Sequence, residues 1–155
     1  MALKGDRHIV YDDIRWFCND EVERGVILVH SGSGGSGVSM DDTTNLVTVP
    51  GTGSVSGLLP AGLLLNDFVT LDETRFHLNK HKDEMRTGSK AHLLKKGWVF
   101  TNKLVSGNTP SAGAPAYLGA SGNVSTSSAD SAARVGTFKG RKDGDGYVLV
   151  EIDIQ

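Results

Sequence analysis

His77, His81 and His92, with Asp83 and Glu84, are the residues whose types and spacing could hold a metal ion. His77 and His81 stand four apart, the interval that puts two side chains on one face of a helix, where two imidazoles can share zinc. With Glu84 beside them the set would make a metal-dependent hydrolase. It lacks the H-E-x-x-H arrangement, and Cys18, the single cysteine, supplies no thiolate pair. The plainer reading is a solvated polar segment or an inter-subunit contact, and the expectation is no metal and no cofactor. Tyr11, Trp16 and Trp98 could instead serve as stacking platforms for a carbohydrate.

Other motifs fail on context. Gly32, Gly34 and Gly37 have the spacing of a dinucleotide fingerprint, but residues 38–44 carry no helical apolar stripe to open behind them. No lysine follows these glycines, which excludes a phosphate-gripping loop, and no serine there has both glycines of a nucleophile elbow. Asp143-Gly-Asp-Gly146 resembles part of a calcium loop without its remaining oxygen ligands or closing glutamate. Asp-Gly at a hairpin tip explains it without metal, because glycine supplies the positive φ. No arrangement points to catalysis, so the chain is expected not to be an enzyme.

The elements that would position these residues are short strands. Residues 147–154 alternate, with Val148, Val150, Ile152 and Ile154 on one face and Tyr147, Leu149, Glu151 and Asp153 on the other, the period of a half-buried strand. Residues 116–118 and 134–138 read as further strands, joined by a turn at 119–123 and a small-residue link at 127–133. The β-branched run 25–30 (GVILVH) is a strand, and 44–49 another, ended by Pro50-Gly51. Residues 55–59 suggest a brief pairing, and 63–71 a strand bent near Asn66 and Asp67. Residues 72–88 are charged, suiting a loop or one to two helical turns. Lys95-Lys96-Gly97 between two apolar runs predicts a hairpin.

The N-terminal segment differs. Residues 1–10 are polar and basic and are expected to fray. In 11–24, Asp12 or Asp13 could cap a short helix with Ile14, Phe17 and Cys18 on one face. Trp16 falls off that stripe, so it is either a binding anchor or a ring packed on the body of the domain.

A chain of 155 residues with 38% hydrophobic and 6% aromatic residues makes one domain with a modest aliphatic core. Twenty glycines against four prolines suit many tight turns. A net charge of −2, with Lys80, Lys82, Lys90, Lys95 and Lys96 interleaved with acids, argues against a nucleic-acid partner. One cysteine allows no internal disulfide, and no apolar run reaches the length of a membrane span or a signal-peptide core. The expectation is a soluble protein made in a cytoplasm, with no membrane partner.

The order of segments in residues 112–154, "AG-x-P-x-YL-x-x-SG-x-V-S, link, R-VG-x-F, charged turn, DGY-x-x-V-x-I", resembles the small β-barrel proteins that decorate tailed-phage heads, the capsid decoration or cement proteins. The similarity continues upstream through 62–72 (GLLLNDFVTLD), 74–84 (TRFHLNKHKDE) and 93–102 (LLKKGWVFTN). The resemblance implies a mainly β fold, a small β-barrel or β-sandwich (β-tulip or SH3-like) over residues 25–155. Residues 1–24 are expected to form an extended N-terminal arm containing the possible short helix. It also implies a virion protein on the outer capsid surface, made in the host bacterial cytoplasm, whose partners are the major capsid protein and itself. A homotrimer at local threefold positions is the first expectation and a dimer at twofolds the second. Leu3, Arg7, Tyr11, Arg15, Trp16 and Phe17 are the expected anchors to capsid or neighbouring subunit, on an arm disordered when free. Deleting the arm is then expected to leave a folded domain that no longer binds heads.

Overall fold

The computed structural model describes residues 2–31, 45–65, 84–85 and 87–155. The fold is mainly β. In chain order the strands are β1 (Leu3–Cys18), β2 (Val22–Glu23), β3 (Ile27–His30), β4 (Leu46–Thr48), β5 (Pro60–Leu64), β6 (Glu84–Met85), β7 (Lys90–Thr101), β8 (Pro115–Leu118), β9 (Val124–Ser125), β10 (Arg134–Phe138) and β11 (Val148–Asp153). Nine of them form one sheet in the order β1-β4-β3-β5-β7-β11-β10-β8-β9, and β2 pairs with β6 apart from it. β1 also pairs with β7, so the pairings run in a closed circuit from β1 through β4, β3, β5 and β7 back to β1.

β7 is the strand on which the others are assembled. One edge runs antiparallel to β1 from Leu3↔Thr101 to Phe17↔Lys90. The other edge carries β5 at Leu93 and Leu94, then β11 from Lys96 to Thr101. The hairpin expected at Lys95-Lys96-Gly97 is therefore a continuous strand. Gly97 serves a close approach, not a turn. It has φ +147°, and a Cβ there would sit on the carbonyl oxygen of His8 in β1. The register slips beside it, with Tyr11 facing Lys96 and Asp12 facing Leu94, which is a bulge.

The short helix expected within 11–24 is also corrected, as is the frayed start: Leu3–Cys18 is one strand of 16 residues. β7 offers a full ladder of backbone partners, and Ile, Val, Tyr, Trp and Phe favour the pleat. Asp13, instead of capping a helix, turns its carboxylate onto Arg15 and Trp16 of its own strand. Leu3, 2% exposed, lies in the core.

β3, β5 and β7 bury both faces. Ile27, Val29, Leu63, Leu65, Leu94 and Val99 point into a larger cluster completed by side chains of β8 to β11, among them Phe138, Val150 and Ile152. Leu28, Ala61, Leu64, Ala91 and Leu93 point the other way, into a smaller cluster with Cys18, Val47 and Met85. That explains why GVILVH and LLL are unbroken apolar runs: a strand covered on both sides has no polar face to alternate with. β11 has one covered face, and there Val148, Val150, Ile152 and Ile154 are buried as its alternation predicts.

The remaining expectations divide. Residues 119–123 turn through a 3-10 segment, Ala120–Gly122, and the link at 127–133 holds another, Ala129–Ser131. Residues 55–59 form no strand; Val55 and Leu58 close a turn, Leu58 N–H donating to the Val55 carbonyl at 3.3 Å. The expected bend at Asn66 and Asp67 and most of the charged segment 72–88 lie outside the described residues.

Candidate interaction surface

The middle of β1 is a strand with two exposed faces. His8, Ile9, Val10, Tyr11 and Asp12 are all exposed in succession, where a strand lying on a core would show every second residue. A bulge interrupts the pairing here: between Ile9↔Gly97 and Tyr11↔Lys96, Val10 has no partner of its own, while the strand stays close on β7. Val10 is 60% exposed, Tyr11 52% and Ile14 43%, a run of apolar side chains in solvent. Among the described residues, β1 meets a strand on its outer edge only at Phe17 and Cys18, where β4 runs parallel to it.

The two ends of this stretch are pinned. At the start, the Lys4 ammonium lies 2.6 Å from Asp143 Oδ2 and 4.7 Å from the centre of the Tyr147 ring. Asp143 Oδ1 accepts the N–H groups of Asp145 (3.1 Å) and Tyr147 (2.7 Å), so both its oxygens serve the Asp-Gly turn and Lys4. The Lys4 bond holds that carboxyl below its usual range and raises the lysine. Beyond Lys4, Phe100 meets Trp98 edge-on at 6.1 Å, and Trp98 stacks on His8 at 6.3 Å.

At the other end, Asp13 is 4% exposed. Its oxygens accept from Arg15 Nε (3.0 Å), an Arg15 terminal nitrogen (2.7 Å), the Arg15 N–H (3.0 Å) and Trp16 Nε1 (3.0 Å). The Arg15 guanidinium holds this carboxyl far below the usual carboxylate range. Trp16 also meets His30 edge-on at 4.6 Å and packs on the smaller cluster. Asp12 Oδ2 lies 2.6 Å from Nε2 of the buried His92, tying β1 to β7. Burial, then the charge of Lys95, lowers the His30 imidazole below its ordinary value.

Of the expected anchors, Tyr11 is exposed in the middle of β1, and Arg15 is exposed with its guanidinium fixed on Asp13. Trp16 and Phe17 are half-buried, Phe17 with Lys90 Nζ 5.9 Å from its ring centre. Arg7 is half-buried opposite Val99, and Leu3 is internal. Ile9 and Val10 escaped the sequence reading, although with Tyr11 they make three apolar residues in a row inside a charged segment, and Ile14, expected on a helical stripe, is exposed instead.

The alternative sites lie largely outside the described residues. His77, His81 and the glycine-rich loop lie outside the described residues, Glu84 belongs to β6, and His92 is bonded to Asp12. Among the described residues no three His, Cys, Asp or Glu side chains are grouped to hold a metal ion. No ring contact joins Tyr11, Trp16 and Trp98 among the described residues, so they form no common platform. A depression of about 340 Å³ over Gly136 is lined by Arg134, Thr137, Glu151 and Asp153. Its carboxylates already face lysines, Glu151 at 2.5 Å from Lys139 and Asp153 at 3.8 Å from Lys96. No described helix is long and apolar enough to cross a membrane. Neither a protein-family model nor a curated protein sequence matches this chain.

Proposed function

We propose that this chain is a structural virion protein that binds the outside of a phage capsid and stabilises it by bridging neighbouring major capsid proteins. The observation that carries the reading is the ordered series of segments in residues 112–154, with its upstream continuation, which resembles the head-decoration proteins. Two further features support it. The circuit of pairings through β1, β4, β3, β5 and β7 suits a small β-barrel with β8 to β11 packed on its side. The exposed apolar stretch of β1 is the composition of an attachment surface, since long apolar edges left open invite association.

The mechanism is mechanical. Each copy bridges capsid subunits, so outward displacement of the shell breaks additional contacts, and linked copies on a repeating lattice bind with avidity. No bond in a substrate is made or cut. The test is to incubate the purified protein with undecorated expanded heads and image them. Regular density of this size at fixed lattice positions is expected; heads that stay smooth at saturating protein overturn the proposal.

A further inference from the structure

We propose that the depression over Gly136 is a binding site for an acidic saccharide, with Arg134 taking the carboxylate and Thr137, Glu151 and Asp153 the ring hydroxyls. The site goes beyond the capsid reading and does not require it. None of Tyr11, Trp16 and Trp98, the rings that could serve as stacking platforms, lines it. Its shape follows from the pairing of β10 with β11. Thr137 stands opposite Glu151 and Gly136 opposite Ile152. Glu151 and Asp153 lie on the face of β11 away from the buried Val150 and Ile152. A Cβ on Gly136 would sit on the Glu151 carbonyl oxygen, so no side chain can occupy that position. The space left is about 340 Å³, the size of a small-ligand site.

The lining decides the class of ligand. Most ligand sites are apolar with a few polar groups. Here every side chain on the wall is polar: Arg134, Thr137, Glu151 and Asp153. That suits a molecule with hydroxyls on all sides. Glu151 lies 2.5 Å from Lys139 and Asp153 3.8 Å from Lys96, so each carboxylate is balanced by its own lysine. A sugar hydroxyl both donates and accepts, and can bridge such a carboxylate and its lysine. Arg134 differs. Its Nε donates to the Gly136 carbonyl (3.3 Å) and a terminal nitrogen to Thr137 Oγ1 (3.1 Å), neutral acceptors that fix the guanidinium on the wall. Among the described residues no carboxylate pairs with it. Three cations therefore meet two carboxylates, and the surplus selects one negative charge on the ligand. The planar fork of the guanidinium matches a carboxylate, which brings one charge where a phosphate monoester brings about two. A hexuronate, a sugar that carries a carboxylate, meets both requirements.

The test uses the full chain, isotope-labelled and followed by NMR. Digalacturonate is the probe, with neutral digalactose and acetate beside it. Digalacturonate is expected to shift the amides of Gly136, Thr137 and Glu151 saturably at millimolar concentration. Digalactose is expected to bind about tenfold or more weaker, and acetate to leave Glu151 unmoved. Arg134→Gln, at an exposed position, is expected to keep the native spectrum and to lose the preference, so that the two sugars bind alike. Tyr11→Ala is expected to bind as wild type does. No saturable shift with digalacturonate, digalactose that binds as tightly, or acetate that reproduces the full pattern of shifts overturns the proposal. So does an Arg134→Gln protein that still prefers the acid, or a Tyr11→Ala protein that no longer binds it. The wild-type titrations decide the matter even if a variant fails to fold. Head binding is assayed separately: undecorated heads with a wild type that binds digalacturonate sink only the capsid reading.

Discussion

Single residues decide where β1 can lie. Gly97 lets the strand cross close over β7, so Gly97→Ala is expected to destabilise by roughly 2 kcal/mol or more, the range for a clash at a strained backbone position. Urea unfolding of the variant measures it, and a change within error of zero would show that the His8 carbonyl moves aside. Asp13 acts through charge. Its folded pKa is depressed below the unfolded value, so its stabilisation is present above about pH 4 and is lost as pH falls toward the folded value. Asp13→Asn removes that linkage and weakens the bonds to Arg15 and Trp16, which is expected to cost about 1–3 kcal/mol at neutral pH. Stability of the variant should then fall less steeply than wild type between pH 4 and 2, as acid titrations followed by fluorescence would show. A parallel pair of curves would mean that Asp13 is not the titrating group.

At the scale of elements, β1 belongs to the sheet, and the arm-deletion expectation changes with it. Removing residues 1–24 strips β7 of one edge for its whole length and takes Leu3 and Cys18 out of the two clusters. The truncated chain is expected to be unfolded or aggregated by circular dichroism, whereas Tyr11→Ala and Ile14→Lys keep the fold; a truncated chain with native spectra would restore the idea of a detachable arm. The sequence made some of this legible and hid the rest for a physical reason. β11 and β3 could be read because alternation and β-branching are local to the strand. The true fate of β1 could not. Ile14, Phe17 and Cys18 lie on one helical stripe, and the choice of strand is made by β7, which follows about eighty residues later in the chain. Lys95-Lys96-Gly97 misled in the same way, since one local pattern serves both a turn and a bulge under a crossing strand. The exposure of Val10 depends on that bulge, so the surface was invisible until the register was known.

Among the described residues of the whole molecule, two apolar clusters are divided by a shared wall. β3, β5 and β7 contribute alternate side chains to each, so neither cluster can open without exposing the back of the other's strands. A single cooperative transition is the consequence, because loss of the wall removes both cores together. Two native reporters sit on different parts of this frame. Cys18 is wholly buried in the smaller cluster, its thiol pushed up to about 11 by that burial, so it stays protonated and shielded from reagents until the cluster opens. Trp98 lies on β7 between Gly97 and Val99, and Val99 packs into the larger cluster. If the wall couples the clusters, then in a Trp16→Phe protein, where Trp98 alone gives the fluorescence, the urea midpoint for labelling of Cys18 coincides with that for fluorescence. Leu28→Ala, which empties part of the smaller cluster alone, should lower both midpoints together, by about 2–5 kcal/mol of stability. A thiol that becomes reactive at urea concentrations where the fluorescence is still native would instead mean that the circuit of β1, β4, β3, β5 and β7 opens by itself, and that the shared strands hold two separable units.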